Sequence, residues 1–186
     1  MPAIYKPINQ YFMKFVLIGY MGSGKSTAAK ALSGALHLPY IDLDDYIVEK
    51  EQMSVNKIFQ THGEIYFRLQ ESKYLKEILE MDSEMVVSVG GGTPCYSNNM
   101  EMINKMSKSI YLKGSIPTIC QRLKNEKEQR PLVADLNDDQ LTEFVAKHLF
   151  ERRNFYEKAD EVISIDGKSL EDLLNEVKKT LKENLK

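Results

Sequence analysis

The stretch Gly19-Tyr20-Met21-Gly22-Ser23-Gly24-Lys25-Ser26-Thr27 (GYMGSGKST) decides the fold. It follows the apolar run Phe15-Val16-Leu17-Ile18 and precedes the Ala-rich, helix-favouring stretch Ala28 to Leu36. Between a strand and a helix, the pattern G-x-x-x-x-G-K-[ST] is a phosphate-binding loop. Its glycines tolerate positive φ and put no Cβ in a ligand's path. Successive N–H groups then turn inward as an anion nest, reinforced by the helix N-terminus behind them. Lys25 brings a mobile cation to the terminal phosphates, and the Ser26 hydroxyl is suited to ligating Mg²⁺. Gly22, Ser23, Gly24, Lys25, Ser26 and Thr27 are therefore the expected nucleotide contacts.

Outward from the loop, apolar runs at Phe15–Ile18, Tyr40-Ile41, Met85–Val89, Ser109–Leu112 and Glu161–Ile165 read as strands alternating with helices. That alternation predicts a parallel sheet with right-handed crossovers. The expected fold is a three-layer α/β/α P-loop NTPase-like domain with a five-stranded parallel sheet. The first helix is expected to end near Leu38-Pro39, because a residue preceding proline disfavours the helical region. Further helices are expected over Tyr46–Lys50, Ser54–Gln60 (closed by His62-Gly63), Glu64 to about Met81, from Pro117, over Leu141–Tyr156 and from Ser169.

The 186-residue length suits one domain with a sizeable core. A net charge of −2 gives no reason to expect a nucleic acid or an acidic membrane as partner. No run approaches the roughly 18 apolar residues of a membrane span. Cys95 and Cys120 have neither metal-ligand spacing nor disulfide density, and read as reduced thiols of a cytoplasmic protein. Residues 1–12 carry two prolines and no periodicity, which predicts a flexible extension before a single domain over 13–186. With no apolar stripe left over, a monomer is expected.

The chemistry-bearing candidates cluster around strand ends. Asp42, Asp44 and Asp45 follow the second strand, where open α/β sheets place their ligands. Asp45 reads as a helix cap, and Asp42 and Asp44 as metal and substrate groups. Glu64, Arg68 and Glu71 fall on one helical face. They form either a solvated ion-pair ladder or an arginine held rigid for a ligand, and composition does not choose. Gly90-Gly91-Gly92, after the third strand, suggests a backbone approaching a bound molecule. The charged segment of about 123–139, broken by Pro131, reads as a mobile loop or a lid, with Arg122 and Arg130 its cations of interest. His62 reads as structural, His148 as packed and hydrogen-bonded on an apolar helical stripe, and Cys95 as a small filler.

Taken in order, GYMGSGKST, the D-x-D of Asp42-Leu43-Asp44, GEIYFRLQE (Gly63 to Glu71), the triple glycine, Arg130-Pro131-Leu132 and the arginine four residues before Tyr156 resemble the shikimate kinases from Met13 to Ile165. No Asn-Lys-x-Asp guanine motif competes with that reading. The resemblance implies transfer of a phosphoryl group from ATP to the shikimate 3-hydroxyl, in aromatic amino acid biosynthesis, with Mg²⁺ as cofactor. It implies that Ser26 and Asp42 serve the metal, and that Lys25, Asp44 and Arg130 are catalytic, with Asp44 as the base. Arg68 and Arg152 would bind the shikimate carboxylate, with Glu71 orienting Arg68. Gly90, Gly91 and Gly92 would donate N–H groups, Arg130 would arrive with the lid, and Arg122 would lie along adenine. The substrate-binding segment would span about 43–72. The competing readings are another small-metabolite kinase, for gluconate or a nucleoside monophosphate, or a regulatory nucleotide-binding protein.

Overall fold

The computed structural model describes residues 13–126 and 132–183. The expected extension over residues 1–12, and Arg130 with Pro131, lie outside the described residues.

Five strands, β1 (Lys14–Ile18), β2 (Tyr40–Asp42), β3 (Met85–Ser88), β4 (Lys108–Lys113) and β5 (Glu161–Ser164), form one all-parallel sheet in the order β2-β3-β1-β4-β5. Every residue of β1 and β3 is buried, as the continuous apolar runs of doubly covered strands require. The chain leaves β1 toward β2 and β3 on one side and toward β4 and β5 on the other. A crevice beyond the C-terminal end of β1 follows from that reversal. Register sets its walls: Leu17 and Asp42 both pair with Ser88. Two residues beyond these three lie Gly19, Asp44 and Gly90, so the phosphate loop, the acidic turn and the triple glycine emerge side by side.

The helices are α1 (Lys25–Leu36), α2 (Leu43–Glu51), α3 (Val55–Glu80), α4 (Asn99–Met106), α5 (Ile116–Asn125), α6 (Asp138–Tyr156) and α7 (Leu170–Glu183), with a 3₁₀ turn over Thr93–Cys95. Four boundaries differ from expectation, each for a local reason. Helix α1 stops at Leu36, where His37 turns left-handed (φ 57°) before Pro39 has any influence. The cap of α2 is Asp42, whose side chain accepts the Asp44 N–H at 3.0 Å; Asp45 sits in the first turn instead. Helix α3 joins the two expected segments across Gly63, whose non-helical backbone (φ 80°, ψ 173°) kinks it. Helix α6 starts three residues before Leu141, because Asn137 and Gln140 form a reciprocal capping box. Helix α4 was not anticipated; it is short and buries Met100 and Ile103.

The expectation of no leftover apolar surface fails at Ile65 (80% exposed), Leu69 (65%) and Phe150 (82%). Cys95 and Cys120 are both unpaired thiols. Among the described residues, no helix is long and apolar enough to cross a membrane.

Candidate active site

The phosphate loop takes its shape from two left-handed glycines, Gly22 (φ 75°) and Gly24 (φ 83°), the second acting as N-cap of α1. A side chain at either position would be strained, so the N–H groups between them turn toward one centre. Lys25 is buried, and its Nζ donates to the Tyr20 carbonyl at 2.9 Å. From α5, Arg122 reaches the back of the loop and donates from Nη1 to the Ser23 carbonyl at 3.1 Å.

Ser26 Oγ donates to Asp42 Oδ2 at 3.0 Å and lies 3.3 Å from Ser88 Oγ. The Tyr40 hydroxyl donates to the same Asp42 oxygen at 3.0 Å. Burial, with Asp42 alongside, pushes the Tyr40 phenol above its ordinary range and keeps it a donor. One hydroxyl and one carboxylate beside a phosphate nest match Mg²⁺, which typically keeps waters and takes one or two carboxylates plus substrate phosphates.

Asp44 is the second residue of α2, within its first turn, and faces the same hollow. Burial first, then the Asp42 and Glu71 charges, push its carboxyl up to about 6, while Lys25 pulls the other way. A carboxylate held near neutrality beside a phosphate site is suited to exchanging a proton at working pH.

The three glycines after β3 are where the acid and the cations converge. A Cβ on Gly90 would stand 3.4 Å from Asp44 Oδ1 and 3.2 Å from Glu71 Oε1. On Gly91 it would stand 3.7 Å from Arg152 Nη1, and on Gly92 only 2.9 Å from Arg68 Nη2. Arg68 is held on α3 by Glu71 (Nη1 to Oε2, 2.9 Å) and more loosely by Glu64 (Nε to Oε1, 3.4 Å). The Thr93 hydroxyl occupies the other oxygen of Glu71 at 2.6 Å. The doublet on α6 divides: Arg152 is partly buried over the Tyr20 ring (5.5 Å), whereas Arg153 is exposed and pairs with Glu157 at 2.9 Å. Tyr156 donates to the Gly91 carbonyl at 2.5 Å, tying α6 to the triple glycine. His148 Nδ1 lies 3.1 Å from the Tyr20 hydroxyl, on the packed stripe where the sequence put it.

A cavity of about 200 Å³ opens between the phosphate loop and the acidic turn, lined by Gly22, Gly24, Lys25, Ser26 and Thr27 on one side and by Asp42, Asp44, Ser88, Gly90 and Gly91 on the other; Arg68 and Arg152 stand beyond that lining, against Gly92 and Gly91. Sequence reasoning missed Tyr40, Ser88, Thr93 and Tyr96. Only Ser88 carried a signal, as the one polar residue in an otherwise apolar strand.

A nest for phosphates opposite a poised carboxylate, with two half-buried arginines against the neighbouring triple glycine, on this sheet order, belongs to the phosphate-loop kinases. The shikimate kinase family model matches residues 21–182, and the chain belongs to that family, whose members are ATP-dependent kinases acting on an alcohol. A shikimate kinase of Flavobacterium psychrophilum is 44% identical over 169 residues, covering 90% of this chain and 98% of that protein. The crystal structure of the Bacteroides thetaiotaomicron shikimate kinase superposes with a TM-score of 0.85 at 34% identity, covering 91% of this chain and 98% of the other. That of the Acinetobacter baumannii enzyme in complex with shikimate gives 0.81 at 26% identity, with 93% and 94% covered.

Proposed function

We propose that this chain phosphorylates the 3-hydroxyl of shikimate with ATP, giving shikimate 3-phosphate and ADP in chorismate biosynthesis. The observation that carries the reading is the triple glycine, whose successive residues lie against Asp44, Arg152 and Arg68. An acceptor seated there would have its hydroxyls at Asp44, its carboxylate between two guanidinium groups, and backbone N–H donors beneath it. Guanidinium forks match a carboxylate's two oxygens in a way that lysine cannot.

In this reading Gly22 to Thr27 cradle the phosphates and Lys25 meets the β and γ oxygens. Ser26 and Asp42 would hold Mg²⁺, which neutralises charge on the phosphates. Asp44 accepts the proton of the attacking hydroxyl. Arg130 arrives with the lid of about 123–139 to meet the transferring group, and Arg122 flanks the nucleotide from the loop's far side. Phosphoryl transfer asks little covalent work of a protein beyond positioning and charge stabilisation. Closure of the lid excludes water that would otherwise hydrolyse ATP. We keep, as part of this proposal, a monomer at work in the cytoplasm.

The test is ADP release with ATP and Mg²⁺, without acceptor and then with shikimate, gluconate or nucleoside monophosphates. Turnover confined to shikimate is expected. Turnover on gluconate or a nucleotide instead, or tight ATP binding with no turnover on any acceptor, would transfer the chain to one of the competing readings.

A further inference from the structure

Arg68 is held from a third direction that neither the sequence nor its place on α3 accounts for. The 3₁₀ turn over Thr93–Cys95 folds the chain back across the triple glycine and delivers Tyr96 against the guanidinium. The Tyr96 ring centroid lies 4.1 Å from Arg68 Cζ, a close cation–π stack. Its hydroxyl donates to Glu64 Oε1 at 2.7 Å. That same Glu64 oxygen faces Arg68 Nε at 3.4 Å and Nη2 at 3.5 Å. One tyrosine therefore covers a face of the guanidinium and anchors the carboxylate at its edge. Of the groups around Glu64, the Tyr96 hydrogen bond does most to hold its carboxyl below the usual range, so the anchor is a charged one. The four residues from Thr93 to Tyr96 thus reach Arg68 twice, through Glu71 by the Thr93 hydroxyl and directly by the Tyr96 ring.

We infer that Tyr96 is a positioning residue for the acceptor: its stacked ring and its hydrogen bond to Glu64 fix the plane in which the Arg68 fork meets the acceptor's carboxylate. The inference rests on Arg68 being a carboxylate contact, as proposed above. Without the ring, the guanidinium keeps Glu71 and the longer Glu64 contacts but loses the surface that fixes its plane. Without the hydroxyl, Glu64 loses the anchor that holds it at 3.4–3.5 Å from the Nε–Nη2 edge, and is free to close on the guanidinium and compete with the incoming carboxylate. Both losses weaken recognition of a charged acceptor group and leave phosphate chemistry on the opposite wall untouched.

The experiment is steady-state kinetics on the full chain with Tyr96→Leu, Tyr96→Phe and Arg68→Ala, using shikimate and its neutral carboxamide as acceptors, with thermal melting of each variant. Tyr96→Leu is expected to raise the KM for shikimate about three- to fivefold, the range of a partly exposed cation–π contact, with kcat and the KM for ATP unchanged. Its kcat/KM preference for shikimate over the carboxamide should fall by the same factor. Tyr96→Phe, which keeps the stack, should retain most of that preference. An unchanged KM in Tyr96→Leu, or an equal loss on both acceptors, overturns the inference and leaves Tyr96 a structural residue. If Arg68→Ala raises KM steeply while Tyr96→Leu does not, only this inference fails. If Arg68→Ala leaves KM unchanged, the assignment of Arg68 beneath it fails as well.

Discussion

The Glu71 carboxylate, 1% exposed, lies 2.9 Å from Arg68 Nη1 and takes the Thr93 hydroxyl on its other oxygen at 2.6 Å. A buried acid with both oxygens satisfied is a fixed point, and the guanidinium inherits that fixity. Breaking such a pair costs more than never having formed it, because one charge is left without its partner. Glu71→Ala is therefore expected to lower stability by about 2–4 kcal/mol, since Arg68 retains some contact with solvent. It should also raise the KM for shikimate at least as much as Tyr96→Leu does. Urea denaturation together with acceptor titration checks both; a variant of unchanged stability and KM would make the pair incidental.

Asp44 combines a functional gain with a stability cost. Its carboxyl is raised from 3.8 to about 6 by burial and by Asp42 and Glu71, so the ionised form is disfavoured in the folded protein. Between those values the folded state holds more protons than the unfolded one, and stability from this group declines as pH rises from about 4 to about 6. Above about 6 the cost is complete, on the order of 3 kcal/mol. Asp44→Asn should therefore raise the melting temperature at pH 7.5 by several degrees while abolishing transfer and sparing ATP binding. The backbone of α2 should survive, because Asp42 supplies the cap. In the unsubstituted enzyme, kcat/KM for shikimate should fall as pH drops below about 6, the direction expected for a base that must be ionised. Unchanged kcat in Asp44→Asn would remove it from that role.

Gly92 offers a cleaner probe, since its backbone (φ −87°, ψ −22°) is one that alanine adopts freely. Only the space is contested: a Cβ there meets Arg68 Nη2 at 2.9 Å and Nη1 at 3.0 Å. The end of a long side chain yields more readily than backbone does. Gly92→Ala is expected to lower stability by about 1–2 kcal/mol, because the displaced guanidinium strains its pair with buried Glu71, and to raise the shikimate KM severalfold. A destabilised variant with normal KM would contradict that account.

The sheet, the phosphate loop and the two D-x-D acids were legible because each is written in consecutive residues: apolar runs for β1 and β3, glycine spacing for the loop, acids just past β2. The alternative meanings of Arg68 were not separable from α3 alone, since ion-pair ladders and ligand arginines share the same spacing. What bears on the choice is the setting of Glu71, which is buried and takes a hydrogen bond from Thr93, a residue 22 positions away. The same holds for Tyr40, Ser88 and Tyr96, each of which acts through a partner on another element. Helix α4 escaped because eight residues with alternating methionine and polar groups give too short a period to register. The apolar face at Ile65 and Leu69 was not legible, because exposure depends on what the rest of the chain leaves uncovered.

Under the proposed function, Arg130, outside the described residues, meets the transferring phosphoryl group with the lid. A cation that arrives only on closure stabilises charge in the transition state more than in the ground state. Arg130→Ala is expected to lower kcat far more than it weakens shikimate binding, measured by turnover and by acceptor titration. The reverse pattern would make it a ground-state contact.

If Ser26 and Asp42 hold Mg²⁺ as proposed, Tyr40 bears on that site. Its hydroxyl and that of Ser26 both donate to Asp42 Oδ2, each at 3.0 Å, while the cap holds Oδ1. Were Ser26 to serve the metal, the Tyr40 hydroxyl would be the donor left to keep the carboxylate from rotating on its Oδ2 side. Partners that orient a metal carboxylate in this way typically change metal affinity by about tenfold or more when removed. Tyr40→Phe is expected to raise the Mg²⁺ concentration for half-maximal turnover by about that factor, with kcat recovering at saturating Mg²⁺. Stability should change little, because the phenyl ring retains its packing and the lost hydroxyl leaves Asp42 with two other donors. Turnover against Mg²⁺ concentration decides the matter: an unshifted curve would mean that the cap alone orients Asp42, and a depressed kcat at saturation would place Tyr40 nearer the chemistry than its single hydrogen bond implies.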